Sequence, residues 1–127
     1  MEGFDFVHRE TVRFRDVDSI GHVNNAVFLT YLEEARIAFM SQASEENPLG
    51  MVVARIEIDF RSPAELGDTI EVSVTPGKVG NTSFTLHYEL RADGRLVAEA
   101  STVLVAYDYP KEEPRAIPEA WRKLLGQ

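Results

Sequence analysis

Between Asp16 and Asn25 the chain gathers two carboxylates (Asp16, Asp18), a turn glycine (Gly21), an imidazole (His22) and two asparagines (Asn24, Asn25). They stand immediately ahead of the longest helical pattern in the sequence. A carboxylate at that place has chemical meaning, because the unpaired amides and the dipole of a helix start favour developing negative charge. The carboxylate can activate water or attack a carbonyl directly, while the amides hold the carbonyl oxygen as it becomes an oxyanion. His22 titrates near neutrality and suits an acid/base role or donation to a substrate. Plainer readings stand beside these. Aspartates of a D-x-D run form loops, asparagines cap helices, and a single histidine is commonly packed or solvated. A metal site made of Asp16, Asp18 and His22 is conceivable by residue type, but the spacing follows no metal motif and none is expected. His8 and His87 lack grouped partners and read as strand residues.

The elements that must position this cluster follow from periodicity. Residues 6–15 alternate around Val12 and Phe14 and read as a strand; 16–21 break the pattern as a loop. Asn24 or Asn25 caps a helix that runs uninterrupted to about Ser44. Phe28, Tyr31, Leu32, Ala35, Ala38 and Phe39 form one apolar face of it, and Leu29, Ile37 and Met40 a second side. Such a helix belongs inside a fold. Glu33, Glu34 and Arg36 read as a solvated or intersubunit strip.

Four strand patterns follow, at 52–61, 70–75, 84–91 and 96–107. The turns between them are 62–68, the Pro76–Gly80 break and Asp93-Gly94, a strong hairpin signal. Val103, Leu104 and Val105 are apolar in succession, which implies cover on both faces of the last strand, a second subunit being one source of it. Residues 110–118 read as irregular surface. Pro118 suits the first turn of a short terminal helix, 119–125, with Trp121, Leu124 and Leu125 as its apolar side. A sheet wrapped around a central helix satisfies both patterns.

The 127 residues suit one domain, 1–127. With no cysteine, disulfides, thiolate metal sites and cysteine nucleophiles are excluded. The formal net charge of −8 argues against nucleic acid or an anionic membrane as partner, though a phosphorylated small ligand needs only a local basic cluster. The first ten residues lack the features of a secretory leader, and no apolar run approaches the roughly 18–20 residues that span a bilayer. Cytoplasmic residence is the expectation.

The stretch RDVDSIGHVNNAVFLTYLEEAR resembles the opening signature of hotdog-fold thioesterases of the 4-hydroxybenzoyl-CoA thioesterase-like group, D-x-D-x-x-G-H-V-N-N-x-x-[YF]-x-x-Y-x-E-x-A-R. The likeness continues through RIEIDFRSPAELGDTIEV, the GNTSF step and DGRLVAEASTVLVAYD, and so covers nearly the whole chain. The resemblance implies an α+β hotdog fold and an acyl-CoA thioesterase, releasing a free acid and coenzyme A without metal or bound cofactor. It places the catalytic carboxylate on Asp18, as general base or nucleophile, and the carbonyl-polarising amide on Asn25. His22 falls where some members orient substrate or water, and Asp16 becomes structural.

For coenzyme A, Gly21, Arg61, Lys78 and Arg91 are candidates, with Asn81, Thr82 and Ser83 as hydrogen-bond donors. Members with aromatic substrates carry basic residues where this chain has Asn81 and Thr82, which leaves acyl carrier protein open as the thiol carrier. The resemblance also implies a homodimer or homotetramer with the acyl pocket between two long helices. A non-catalytic acyl-CoA-binding protein is the alternative from another class. Phe28, Tyr31, Leu32, Phe60 and Phe84 are the aromatic and aliphatic candidates for a pocket wall.

Overall fold

The computed structural model describes residues 6–127; residues 1–5, part of the segment expected to lack a secretory leader, lie outside it. Period-two alternation of apolar residues yields strands, and here it builds one antiparallel sheet from β1 (Phe6–Thr11), β2 (Met51–Phe60), β3 (Thr69–Val79), β4 (Ser83–Ala92) and β5 (Arg95–Asp108). Their spatial order is β1-β3-β4-β5-β2, and a two-residue β6 (Glu113–Pro114) pairs with β5 within the segment expected to be irregular. The long helix α1 (Asn25–Met40) lies on the inner face of the sheet, and α2 (Glu119–Leu124) closes one end. Antiparallel strands around one long helix form the wrapped sheet that the patterning implied, which is the hotdog architecture that the resemblance implied.

The core joins α1 to β3, β4 and β5 through Phe28, Tyr31, Leu32, Ala35, Phe39, Ile70, Val72, Leu86, Leu90 and Leu104, all buried. Fully burying one such large side chain contributes about 1.5–3 kcal/mol, so this cluster fixes where the helix lies. Trp121 of α2 packs edge-on against Phe84 at 5.9 Å between centroids, which locks the short helix to the sheet.

Several boundaries depart from the sequence reading. β1 stops at Thr11 because residues Phe14–Asp16 turn into a short 3-10 helix, which leaves Phe14 exposed. Helix α1 ends at Met40 rather than Ser44; Ser41 terminates it, its hydroxyl bonding back to the Ile37 carbonyl at 2.6 Å. The Pro76–Val79 segment, read as a break, continues β3 through a register irregularity that accommodates the proline. The His87 ring lies over Gly77, where a Cβ would stand 2.5 Å from its Nε2 and would make the exposed ring shift. The Asp93-Gly94 hairpin forms as expected, with both residues at positive φ, 52° and 78°.

Strand β2 differs most. Its alternation predicts one buried face, but it is the free edge of the sheet, and a register shift between Val53 and Arg55 interrupts the alternation. Val53, Ile56 and Phe60 remain exposed. The helical strip also resolves differently: Glu33 is solvated, whereas Arg36 is buried and lies 3.8 Å from it. Burial pushes the neighbouring Tyr88 hydroxyl up; its 2.7 Å hydrogen bond with Thr102 and the charge of Arg36 work the other way.

Candidate active site

Val17 and Val23 pair as an isolated antiparallel bridge and fold residues 17–23 into a tight loop. The Gly21 N–H closes this loop on the Asp18 carbonyl at 3.0 Å, with Gly21 at φ 82°, a conformation that favours glycine. A second bridge, His22 to Glu65, and the Val23 N–H to the Ala64 carbonyl at 2.8 Å fasten the loop to the segment after β2.

Within this loop the two aspartates have separate tasks. Asp16 is buried, and its Oδ2 accepts the Arg13 backbone N–H at 2.9 Å and the Tyr31 hydroxyl at 2.8 Å. Burial works to raise its pKa, but these two donors and the Arg13 guanidinium outweigh it and hold the carboxyl below the usual aspartate range. The same contact raises Tyr31, first through burial and then through the hydrogen bond to Asp16. Asp18 is exposed, and only its Oδ1 is used in the fold, accepting the backbone N–H groups of Ile20 at 3.0 Å and His22 at 3.2 Å. The loop-forming reading of Asp18 therefore holds for one oxygen. The other, Oδ2, has no hydrogen-bond partner among the described residues.

Asn24 is the helix cap, its side chain accepting the Ala26 N–H at 2.9 Å. Asn25 is the first helical residue, and its backbone N–H has no partner among the described residues, as expected for an orphan amide of the first turn. Asp18, His22, Asn25 and Arg61 line one cleft of about 530 Å³, within the range of small-molecule sites, together with Phe28 and Phe60. The two rings meet edge-on at 5.5 Å and form the apolar wall. Tyr31, Leu32 and Phe84, also candidates for that wall, are core residues away from the cleft. Ser62 and Pro63 line it too; adjacency to Arg61 was the only sequence signal for them. Arg61 is the guanidinium at the mouth, bonded to Glu99 at 2.9 Å and close to Asp59 at 3.7 Å.

The remaining candidates stand elsewhere. Lys78, Asn81, Thr82 and Ser83 occupy the β3–β4 turn, where Ser83 pairs with Val105 and Val105 with Val52 at the start of β2. Phe60 and Arg61 are at the other end of that strand. Eight residues of strand span about 26 Å, so within one chain this turn does not reach Asp18. Arg91 is engaged by Glu89 at 3.0 Å and the Gly94 carbonyl at 3.2 Å. The Asp16–Asp18–His22 metal grouping is not assembled; among the described residues the ligand-type side chains that converge are His8, Glu10 and Glu34. His8 thus has partners that the sequence reading did not assign.

Comparison with known proteins agrees with this fold. The profile of the thioesterase-like superfamily matches residues 12–125. The long-chain acyl-CoA thioesterase FadM of Escherichia coli K12 is 31% identical over 125 residues, covering 91% of this chain and 93% of that protein. The uncharacterized protein YsmA of Bacillus subtilis is 33% identical over 88 residues, 67% of this chain, and the match spans 60% of its length. A crystal structure of a Thermus thermophilus thioesterase complexed with coenzyme A and zinc superposes with a TM-score of 0.88 at 40% identity, covering 100% of this chain and 98% of that one.

Proposed function

The chain belongs to the thioesterase-like superfamily and is a thioester hydrolase, and we propose that it converts acyl-CoA to a free carboxylic acid and coenzyme A. The carrying observation is that the unbonded Oδ2 of Asp18 and the unbonded N–H of Asn25 belong to residues lining the same cleft. The Asn25 amide, at the positive end of α1, donates to the thioester carbonyl oxygen and stabilises the oxyanion. Asp18 either takes a proton from the attacking water or attacks the carbonyl itself, giving an anhydride that water opens. In both routes the C–S bond breaks, the acyl carbon gains oxygen and the thiolate of coenzyme A takes up a proton. His22, beside Asp18, positions water or substrate. This chemistry calls on no metal or bound cofactor.

We further propose that two copies associate through the free edge of β2, as a dimer or a pair of dimers. Exposed Val53, Ile56 and Phe60, on a strand whose outer edge is unpaired among the described residues, support this. A two-fold axis there brings the partner's far end toward each cleft, so that its β3–β4 turn, with Lys78 and Asn81–Ser83, joins Arg61 around the coenzyme A phosphates.

A thiol-release assay over short, long and aromatic acyl-CoAs tests the reading. Hydrolysis is expected for the wild type and a loss of several orders of magnitude for Asp18→Asn, with folding and ester binding retained. Undiminished turnover in Asp18→Asn would overturn the assignment of the carboxylate. Tight acyl-CoA binding with no thiol released would make the protein a binding module, and release from acyl carrier protein alone would change the carrier.

A further inference from the structure

On the opposite edge of the sheet from Phe60, His8 and Glu10 occupy alternate positions of β1, and Glu34 projects from α1 to meet them. One imidazole and two carboxylates each offer a donor atom, and these atoms all lie within 4.8 Å of one another. His8 Nε2 stands 2.5 Å from Glu10 Oε2, with side-chain exposures of 23% and 14%. We propose that His8, Glu10 and Glu34 form a binding site for a divalent transition-metal ion that clamps β1 to α1.

The electrostatics of the cluster favour a cation. Glu34 is raised first by its hydrogen bond to Glu10, then by burial and the Glu10 charge. Burial also works to raise Glu10, but bonds from Glu34 and His8 and the charges of His8 and Arg13 bring it lower than usual. Two carboxylates and an imidazole thus converge at a half-buried position. Arg13, the nearby guanidinium, lies 3.5 Å from Asp16, which it also serves. A divalent ion neutralises both carboxylates. One nitrogen and two oxygen donors with a fourth position left to water suit zinc, and the imidazole disfavours magnesium or calcium. Zinc needs donors about 3.4 Å apart for tetrahedral bonds of about 2.1 Å, so the His8–Glu10 contact opens by roughly 1 Å to admit it.

The site is separate from the cleft. His8, Val72, Leu90, Ala98 and Phe60 lie on one register line across the sheet, so His8 and Phe60 are four strand spacings apart, about 19 Å along it. Glu34 is nine residues beyond Asn25, about 13 Å along the helix. The ion would therefore act on the fold and not on the thioester.

Calorimetric titration of the full chain, first stripped with chelator, with zinc chloride tests the proposal. One ion per chain is expected, with affinity reduced at least about 100-fold in Glu34→Gln and in His8→Ala but kept in His22→Ala. Wild-type Tm is expected to rise by about 10 °C at a hundredfold excess over Kd, and that of Glu34→Gln to stay unchanged. Glu34→Gln also relieves the carboxylate pairing, so it folds without metal and remains informative if His8→Ala does not. Equal zinc binding by wild type and Glu34→Gln, or only weak binding without fixed stoichiometry, would overturn the proposal.

Discussion

The hydroxyl of Tyr31 donates to the buried carboxylate of Asp16 over 2.8 Å, tying the second turn of α1 to the loop that presents Asp18. The geometry between the free Asp18 oxygen and the Asn25 amide therefore depends on a bond made by neither residue, between Asp16 ahead of Asp18 and Tyr31 further along α1.

Tyr31→Phe removes this donor and leaves Asp16 buried with the two Arg13 contacts. A loss of about 1–3 kcal/mol in urea unfolding is expected, together with reduced kcat, because the loop is less well held. Asp16 has a depressed folded pKa, so its stabilisation is present above the unfolded value near 3.8 and fades as the pH falls through the lower folded value. In Tyr31→Phe the folded value lies closer to the unfolded one, so that acid loss is expected to be smaller and to level off at higher pH, which unfolding midpoints between about pH 2 and 5 would show. Superimposable acid limbs would dissociate Tyr31 from Asp16.

His22 lines the cleft but bonds to Asp18 only through its backbone, its N–H donating to Oδ1 and its carbonyl accepting the Asp18 N–H, so removing the ring leaves the loop's own hydrogen bonds in place. His22→Ala is expected to reduce hydrolysis by roughly 10–100-fold, or to shift substrate preference, as an auxiliary group does. A loss equal to that of Asp18→Asn, measured in the same thiol-release assay, would place the imidazole in the central catalytic unit.

The exposed β2 edge makes a third expectation. Ile56→Lys puts a charge on the strand where a second copy would add, a device by which sheet edges avoid pairing. Sedimentation is expected to show monomers, with activity falling in step. An unchanged oligomer would move the interface elsewhere.

Glu34 gives the opposite pH response from Asp16. Its folded pKa is raised above the ordinary value of 4.5, so in the metal-free protein the folded state holds its proton longer and stability declines as pH rises through that folded value. Glu34→Gln has no such proton to lose. The ratio of variant to wild-type stability in chelator should therefore grow as pH rises above 4.5, and a constant ratio would contradict the carboxylate pairing.

Local signals carried far. The order of elements, the Asn24 cap and the Asp93-Gly94 hairpin are set by residues close in sequence. The departures arise from contacts between distant segments. Arg36 looks like a surface charge until Tyr88, from a strand much later in the chain, packs over it. His8 has Glu10 beside it in β1, but Glu34 joins the pair only when α1 packs against the strand. The nucleotide candidates resemble one cluster on paper, yet strand register puts Arg61 and the Lys78–Ser83 turn at opposite ends of the sheet.

Strand order also bears on synthesis. β1 finds its place only against β3, and the Arg9–Glu71 pair across that seam closes a separation of 62 residues. At about 5–20 residues per second, a ribosome takes roughly 3–12 seconds to make the intervening chain. For that interval the apolar helix is out, its sheet is unfinished, and the first strand made waits for the third. The polar residues His8, Arg9 and Glu10 give the waiting strand solubility before they give it neighbours.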